Sequence, residues 1–230
     1  MAERSPAEKI IDQAVEAHGG KRYQHARIDF DFRGTHYQYF QDGGQYRYQR
    51  SFSDSLGNPI QDILSNEGFV RQQNGKPVAV SEEWKTRYSN SINSVIYFVM
   101  LPFKLQDPAV QAEYLGKTTL NGQAYDKVKV SFLAEGGGDD YSDKYIYWIH
   151  RDKKTLDYLA YSYEVEEGGT RFREAFNPQV IEGIRFADYN NYAGKKDTPV
   201  EEMDQLFEAG KLEKLSEIIT ENIQVELLKQ

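Results

Sequence analysis

The 230-residue chain contains no cysteine, which excludes disulfides, thiol catalysis and thiolate metal sites together and leaves the redox compartment open. Histidine is scarce. His18, His25, His36 and His150 form no H-x-H or H-E-x-x-H pair, so no metal site is expected. Long apolar runs are missing too: the longest, residues 95–101, stops at Pro102, far short of the roughly 20 residues a membrane-spanning helix needs, and no transmembrane segment is expected. The start Met1-Ala2-Glu3 does not read as a signal peptide. Positive charge is in deficit, with 28 Lys and Arg against 36 Asp and Glu, a net of −8 dispersed in both signs. Nucleic acid is therefore not an expected partner, because binding it requires a clustered basic face.

Motifs that announce a reaction are equally absent. Gly116-Lys117-Thr118 copies the tail of a phosphate-binding loop, but Gln111 stands where that motif needs its first glycine. Gly136-Gly137-Gly138-Asp139-Asp140, with Asp143 nearby, lacks both the dinucleotide fingerprint and the regular acidic spacing of a calcium loop, and reads as a hairpin loop. No G-x-S-x-G elbow occurs. With 36 acidic residues, chance carboxyl pairs are guaranteed and none can be nominated, so no catalytic residue, cofactor or metal is assigned.

What the chain does contain is a legible order of elements. Ser5, Pro6 and Glu8 write a helix start, Ala7, Ile10, Ile11, Ala14, Val15 and His18 recur at helical spacing, and Gly19-Gly20 permits the exit. His18 falls in the last turn, where a partial positive charge is favoured. The period then changes to two: Ile28, Phe30 and Phe32 alternate with polar residues, followed by Tyr37 and Tyr39 and then Tyr46, Tyr48 and Phe52. Asn74-Gly75 and Asn121-Gly122 mark tight hairpins. Ser81 with Glu82 and Glu83 opens a second helix, in which Trp84, Tyr88, Ile92, Val95, Ile96 and Val99 lie along one side and residues 93–101 are apolar nearly all round. Strands resume from Glu113. Residues 145–150 and 156–165 are apolar on both faces, so both faces should be covered. Thr198-Pro199 and Glu201 start a short third helix closed by Gly210, and Ile219, Ile223 and Val225 suit a final strand. The pattern predicts a mainly β, α+β fold of about eleven antiparallel strands and about three helices. Without a linker, a fixed-period repeat or a low-complexity tract, residues 1–230 read as a single domain.

Aromatic residues make up 13% of the chain, with 17 Tyr and 12 Phe mostly on strands. Such residues favour half-buried pleats, and they also suit a concave apolar surface with hydroxyls at a wet rim. Arg171 and Arg173, two apart on one strand face, would stand at such a rim or pair with Glu164 or Glu174.

The segments EKIIDQAVEAHGG from Glu8, NSVIYFVMLPFKLQDPAV from Asn93, DYLAYSY from Asp157 and RFREAFNP from Arg171 carry a resemblance. With the element order, they resemble the LolA/LolB-like lipoprotein carrier superfamily and, more closely, an uncharacterised cell-envelope family of Bacteroidota with that fold. The resemblance implies a curved half-barrel with the central helix in its concave face, a place in the periplasm or at the outer membrane, and a lipid or acyl-bearing ligand. It brings no catalytic residues, and the lipid-attachment cysteine of envelope lipoproteins is absent here.

The expectation is a non-enzymatic cell-envelope binding protein holding a hydrophobic ligand, lined by Trp84, Tyr88, Ile92, Val95, Ile96, Phe98 and Val99 with Arg171 and Arg173 at the polar rim. Any one of these residues would serve equally as plain core. Two alternatives stand beside it. One is a hydrolase acting on an ester or glycan in the same groove, with Asp188 beside Tyr189 and Arg171; the other is an interaction module with an envelope protein partner.

Overall fold

The computed structural model describes residues 3–133, 144–163, 168–195 and 198–229. The Gly-rich acidic segment 135–143 and Glu164 lie outside them. In chain order the elements are α1 (Pro6–His18), β1 (His25–Phe32), β2 (Thr35–Asp42), β3 (Gln45–Ser53), β4 (Pro59–Ser65), β5 (Gly68–Gln73), β6 (Lys76–Val78), α2 (Glu82–Val99), β7 (Val110–Leu120), β8 (Gln123–Phe132), β9 (Lys144–His150), β10 (Leu156–Tyr163), β11 (Gly169–Ile181), β12 (Ile184–Ala193), α3 (Met203–Glu208), β13 (Glu213–Ile218) and β14 (Glu221–Leu227). They make two seven-stranded sheets, ordered β14-β1-β2-β3-β4-β5-β6 and β13-β12-β11-β10-β9-β8-β7, neither closed into a barrel. Their described pairings are antiparallel. Among the described residues the strands number fourteen, where the pattern predicts about eleven. Short edge runs such as β6 and β13 pair through their backbones without an alternating apolar signature.

Local chemistry sets the element ends. The Glu8 amide donates to Ser5 Oγ at 3.2 Å and the Ser5 amide to Glu8 Oε2 at 2.6 Å, a reciprocal cap on α1. Gly19 leaves that helix at φ 142°, where a Cβ would also lie 3.2 Å from the Gly183 carbonyl, so no side chain fits there without strain. Asn74-Gly75 and Asn121-Gly122 take positive φ at both positions, at 52° and 73° and at 48° and 71°, as their hairpins require. His18 sits in the last turn of α1, as expected, but it is buried, and its Nε2 accepts the Leu156 amide at 3.0 Å, so this nitrogen carries no proton.

Two compact units share the chain: Met1–His18, Leu101–Gln179 and Ala187–Ile218 form one, and Gly19–Met100, Val180–Phe186 and Ile219–Gln230 the other. In the first, β9 is buried on both faces from Tyr145 to His150. One of those faces carries Ile146 and Trp148, which join Tyr125, Tyr158, Phe172, Val200 and Met203 in a core that Phe207 of α3 helps to cover. Trp148 Nε1 donates to Asp204 Oδ2 at 3.1 Å, and Lys127 Nζ lies 3.0 Å from Oδ1 of the same carboxylate.

This core makes its tyrosines hard to ionise. Burial, reinforced by the bond from its hydroxyl to Glu174, pushes the Tyr192 phenol up to about 12, and burial beside Asp157 raises Tyr125 as well. A phenol whose folded pKa is raised contributes stability fully below its unfolded value near about 10, and that contribution is lost as pH rises through the folded value. Stability should therefore fall between about pH 10 and 12. A pH titration following phenolate absorbance at 295 nm alongside far-UV circular dichroism checks this. Ionisation of Tyr192 together with the exposed tyrosines, detected as lost absorbance amplitude at about pH 10 with an unchanged circular-dichroism transition in Tyr192→Phe, would contradict it.

Candidate functional site

The first sheet and α2 belong to one unit, and the residues proposed from sequence concentrate there. Ser81 Oγ accepts the Trp84 amide at 3.5 Å, and Glu82 and Glu83 occupy the first turn, where the helix dipole favours negative charge. α2 packs across β3, β4 and β5. Its second half anchors it, since Ile92 and Ile96 are fully buried and Val95, Phe98 and Val99 partly so. The residues 93–101 are not covered all round, because Asn93 faces solvent. Its first half is less covered: Trp84 is 45% exposed and Tyr88 half-buried. Trp84 packs against Tyr88 with ring centroids 5.2 Å apart, and Tyr88 against Phe69 of β5 at 5.9 Å, both pairs tilted. The result is a half-open aromatic ledge between helix and sheet.

The floor of this ledge is set by register. Phe30, Tyr37, Arg50, Asp62, Arg71 and Val78 stand directly opposite one another across β1 to β6, so they share one row of one face. Three charges therefore meet among aromatic rings. Arg50 Nε donates to Asp62 Oδ2 at 2.8 Å, and Arg71 donates to both oxygens through Nε at 2.6 Å and Nη2 at 2.8 Å. Arg50 Nη1 reaches up to Ser91 Oγ of α2 at 2.8 Å. The Arg71 guanidinium lies 3.7 Å from the Tyr88 ring centre, and both arginines flank the Phe52 ring. Bonding to Asp62 holds the Arg71 pKa above its ordinary value, and burial raises the Tyr37 phenol, with Arg50 countering in part.

Sequence reasoning missed this trio. Its signal was present but faint: Arg50 interrupts the inward phase between Tyr48 and Phe52, Asp62 does so between Ile60 and Leu64, and Arg71 follows Phe69 in the same phase. The residues proposed for the rim lie in the other unit. Arg171 stacks on Tyr163 at 5.0 Å and donates to the Thr170 carbonyl at 3.1 Å; Arg173 donates to Tyr161 Oη at 3.1 Å. Glu174, proposed as their partner, accepts from Asn190 and Tyr192, each at 3.0 Å. Asp188 is buried and accepts from Asn177 Nδ2 at 2.8 Å, while Tyr189 pairs with Ile218 of β13.

On the alternate face of the first sheet a polar groove of about 550 Å3 is lined by Arg27, Gln38, Phe40, Arg47 and Asn66 among others, with Arg27 and Arg47 bonded to Asp29 and Gln49. Among the described residues no group of three His, Asp or Glu side chains is placed to hold a metal, and no helix is long and apolar enough to cross a membrane.

A model described as a family of unknown function, DUF6503, matches residues 1–221. The chain belongs to this family. No curated protein matches it. The fold of this DUF6503 member is similar to that of a LolA superfamily protein from Nitrosomonas europaea, with TM-score 0.52 and 9% identity over 99% of this chain and 95% of that one. A domain assigned to outer-membrane lipoprotein sorting from Vibrio parahaemolyticus aligns at TM-score 0.43 and 11% identity, over 96% and 93%. A DUF1329 family protein from Desulfovibrio piger aligns at 0.39 and 11%, over 83% and 87%. The likeness of the sequence segments to the LolA/LolB-like superfamily thus holds for the fold.

Proposed function

We propose that this protein is a non-enzymatic binding protein of the cell envelope that holds an apolar chain, a lipid or acyl group, against α2 and the first sheet. The observation that carries the reading is the half-open ledge of Trp84, Tyr88 and Phe69, with Val78 37% exposed at its edge. Aromatic surface left part-uncovered beside a fully seated helix end is what an apolar guest would cover. The LolA-like fold supports the same class of ligand and the envelope location.

The two tryptophans make the test selective. Trp148 is fully buried in the second sheet and Trp84 is 45% exposed on the ledge. Filling the ledge with a fatty acid should move Trp84 emission to shorter wavelength, and Trp84→Phe should abolish that shift while Trp148 emission stays unchanged. Native mass spectrometry after mild extraction and displacement of a fluorescent fatty acid complete the experiment. If no lipid co-purifies, no probe is displaced and emission does not move, the proposal fails.

A further inference from the structure

We infer that the guest on the ledge is an amphiphile with one anionic head, a carboxylate or a phosphate, received by Arg50 and Arg71. The inference rests on the ligand-binding reading above and narrows it to one class of molecule. Two guanidiniums share a single carboxylate, leaving one positive charge in excess inside the row. The acids on the first turn of α2 do not cancel it, because Glu82 is paired with Lys85 at 2.6 Å and Glu83 with Arg87 at 2.8 Å.

Accessibility is asymmetric in the same sense. The Asp62 side chain is 0% exposed, whereas those of Arg50 and Arg71 are 13% and 17% exposed. A molecule arriving at the ledge therefore meets cationic edges and not the counter-charge. Donor supply also exceeds acceptor capacity. Asp62 already takes three N–H groups on its two oxygens, near the limit of about four lone pairs; Arg50 also bonds Ser91 Oγ and Tyr37, and Arg71 also bonds Tyr88, yet each guanidinium carries five donors, more than these acceptors use. The rings of Tyr88 and Phe52 offset part of the desolvation of the excess cation, since a ring face attracts positive charge. Phe52 accepts no N–H bond and Tyr88 gives Arg71 only a neutral hydroxyl, whereas a carboxylate or phosphate accepts shorter and stronger charge-assisted bonds. Finally, the position is right for an amphiphile: Tyr88 contacts the Arg71 guanidinium and also packs against Trp84 and Phe69, so the cationic spot adjoins the apolar ledge.

The test titrates the whole chain, through Trp84 emission, with dodecanoate, dodecyl phosphate and dodecanol below their micellar concentrations, and with inorganic phosphate as competitor. The two anions should bind about tenfold more tightly than dodecanol, and inorganic phosphate alone should not displace them. Arg71→Gln leaves Asp62 with one cation, so it should bring the three chains to within about twofold of each other without weakening dodecanol. Arg50→Gln should do the same, and Lys85→Gln, a cation elsewhere on α2, should keep the preference. Equal binding of dodecanol and the anions by the unaltered chain overturns the anionic head while leaving the apolar-ligand reading intact. A preference that survives both arginine variants, or phosphate competing as well as dodecyl phosphate, overturns it as well. Failure of all three chains to bind removes the reading on which it rests.

Discussion

Replacing Asp62 by alanine is expected to cost about 3–5 kcal/mol of stability, the typical penalty for leaving buried charge without its partner. The physical reason lies in the row across the first sheet. Asp62 is wholly covered, and both arginines point their Nε at it, with 2.8 Å from Arg50 and 2.6 Å from Arg71. Alanine leaves two guanidiniums facing each other in a part-buried place with no anion between them, adding mutual repulsion to lost hydrogen bonds. A denaturant titration followed by Trp84, which sits in the same unit, would read the effect as a lower midpoint at unchanged slope. Removing all three charges should behave differently. Arg50→Met, Asp62→Leu and Arg71→Met together should lie within about 1 kcal/mol of the unaltered protein or above it, because the desolvation cost of the ions disappears with them. An Asp62→Ala cost below about 1 kcal/mol would show that the network is hydrated and not the buried trio seen here.

Asp204→Ala should carry a similar cost, about 3–5 kcal/mol, in the unit built on the second sheet. Asp204 is 2% exposed and serves three donors at once, the Lys127 ammonium, the Trp148 indole and the Gln205 amide. Alanine leaves the ammonium, which also donates to the Glu201 carbonyl, with a charge that is only 12% exposed and without an ion partner. The indole N–H loses its acceptor inside the core, which adds a desolvation penalty. Asp204→Asn keeps an acceptor for Trp148 and should lose less. Lys127→Met with Asp204→Leu should recover much of the loss, because no unpaired charge remains. Since Trp148 is fully buried and touches the site directly, its emission reports the change where it occurs. Asp204→Ala and Asp204→Asn unfolding at the same denaturant concentration as the parent would refute the account.

Both networks show where reading the chain stops short. The α1 cap was legible because Ser5 and Glu8 act on amides three residues away, and the hairpin at Asn74-Gly75 because its two residues alone satisfy the turn. The stripe on α2 was legible for its buried anchors Ile92 and Ile96, both fully covered. Asp204 was not, since a carboxylate in a short helix gives no sign of the indole 56 residues earlier in the chain. Likewise His18 looked like a charge-bearing helix end, whereas the Leu156 amide, 138 residues away, needs it as an acceptor.

Local sequence by itself determined that this protein is mainly β, where its first two helices start and stop, which strand faces are apolar, and that it carries no thiol chemistry; the third helix begins at Met203, after a 3-10 turn at Val200–Glu202, and not at the Thr198-Pro199 start the sequence suggests. Those properties follow from interactions spanning a few residues and from side-chain periodicity. Only the tertiary structure decided that Arg50, Asp62 and Arg71 share one row and that a helix lies over it. Strand register is fixed by pairing across the sheet, and a shift of one residue would send each of these charges to the opposite face.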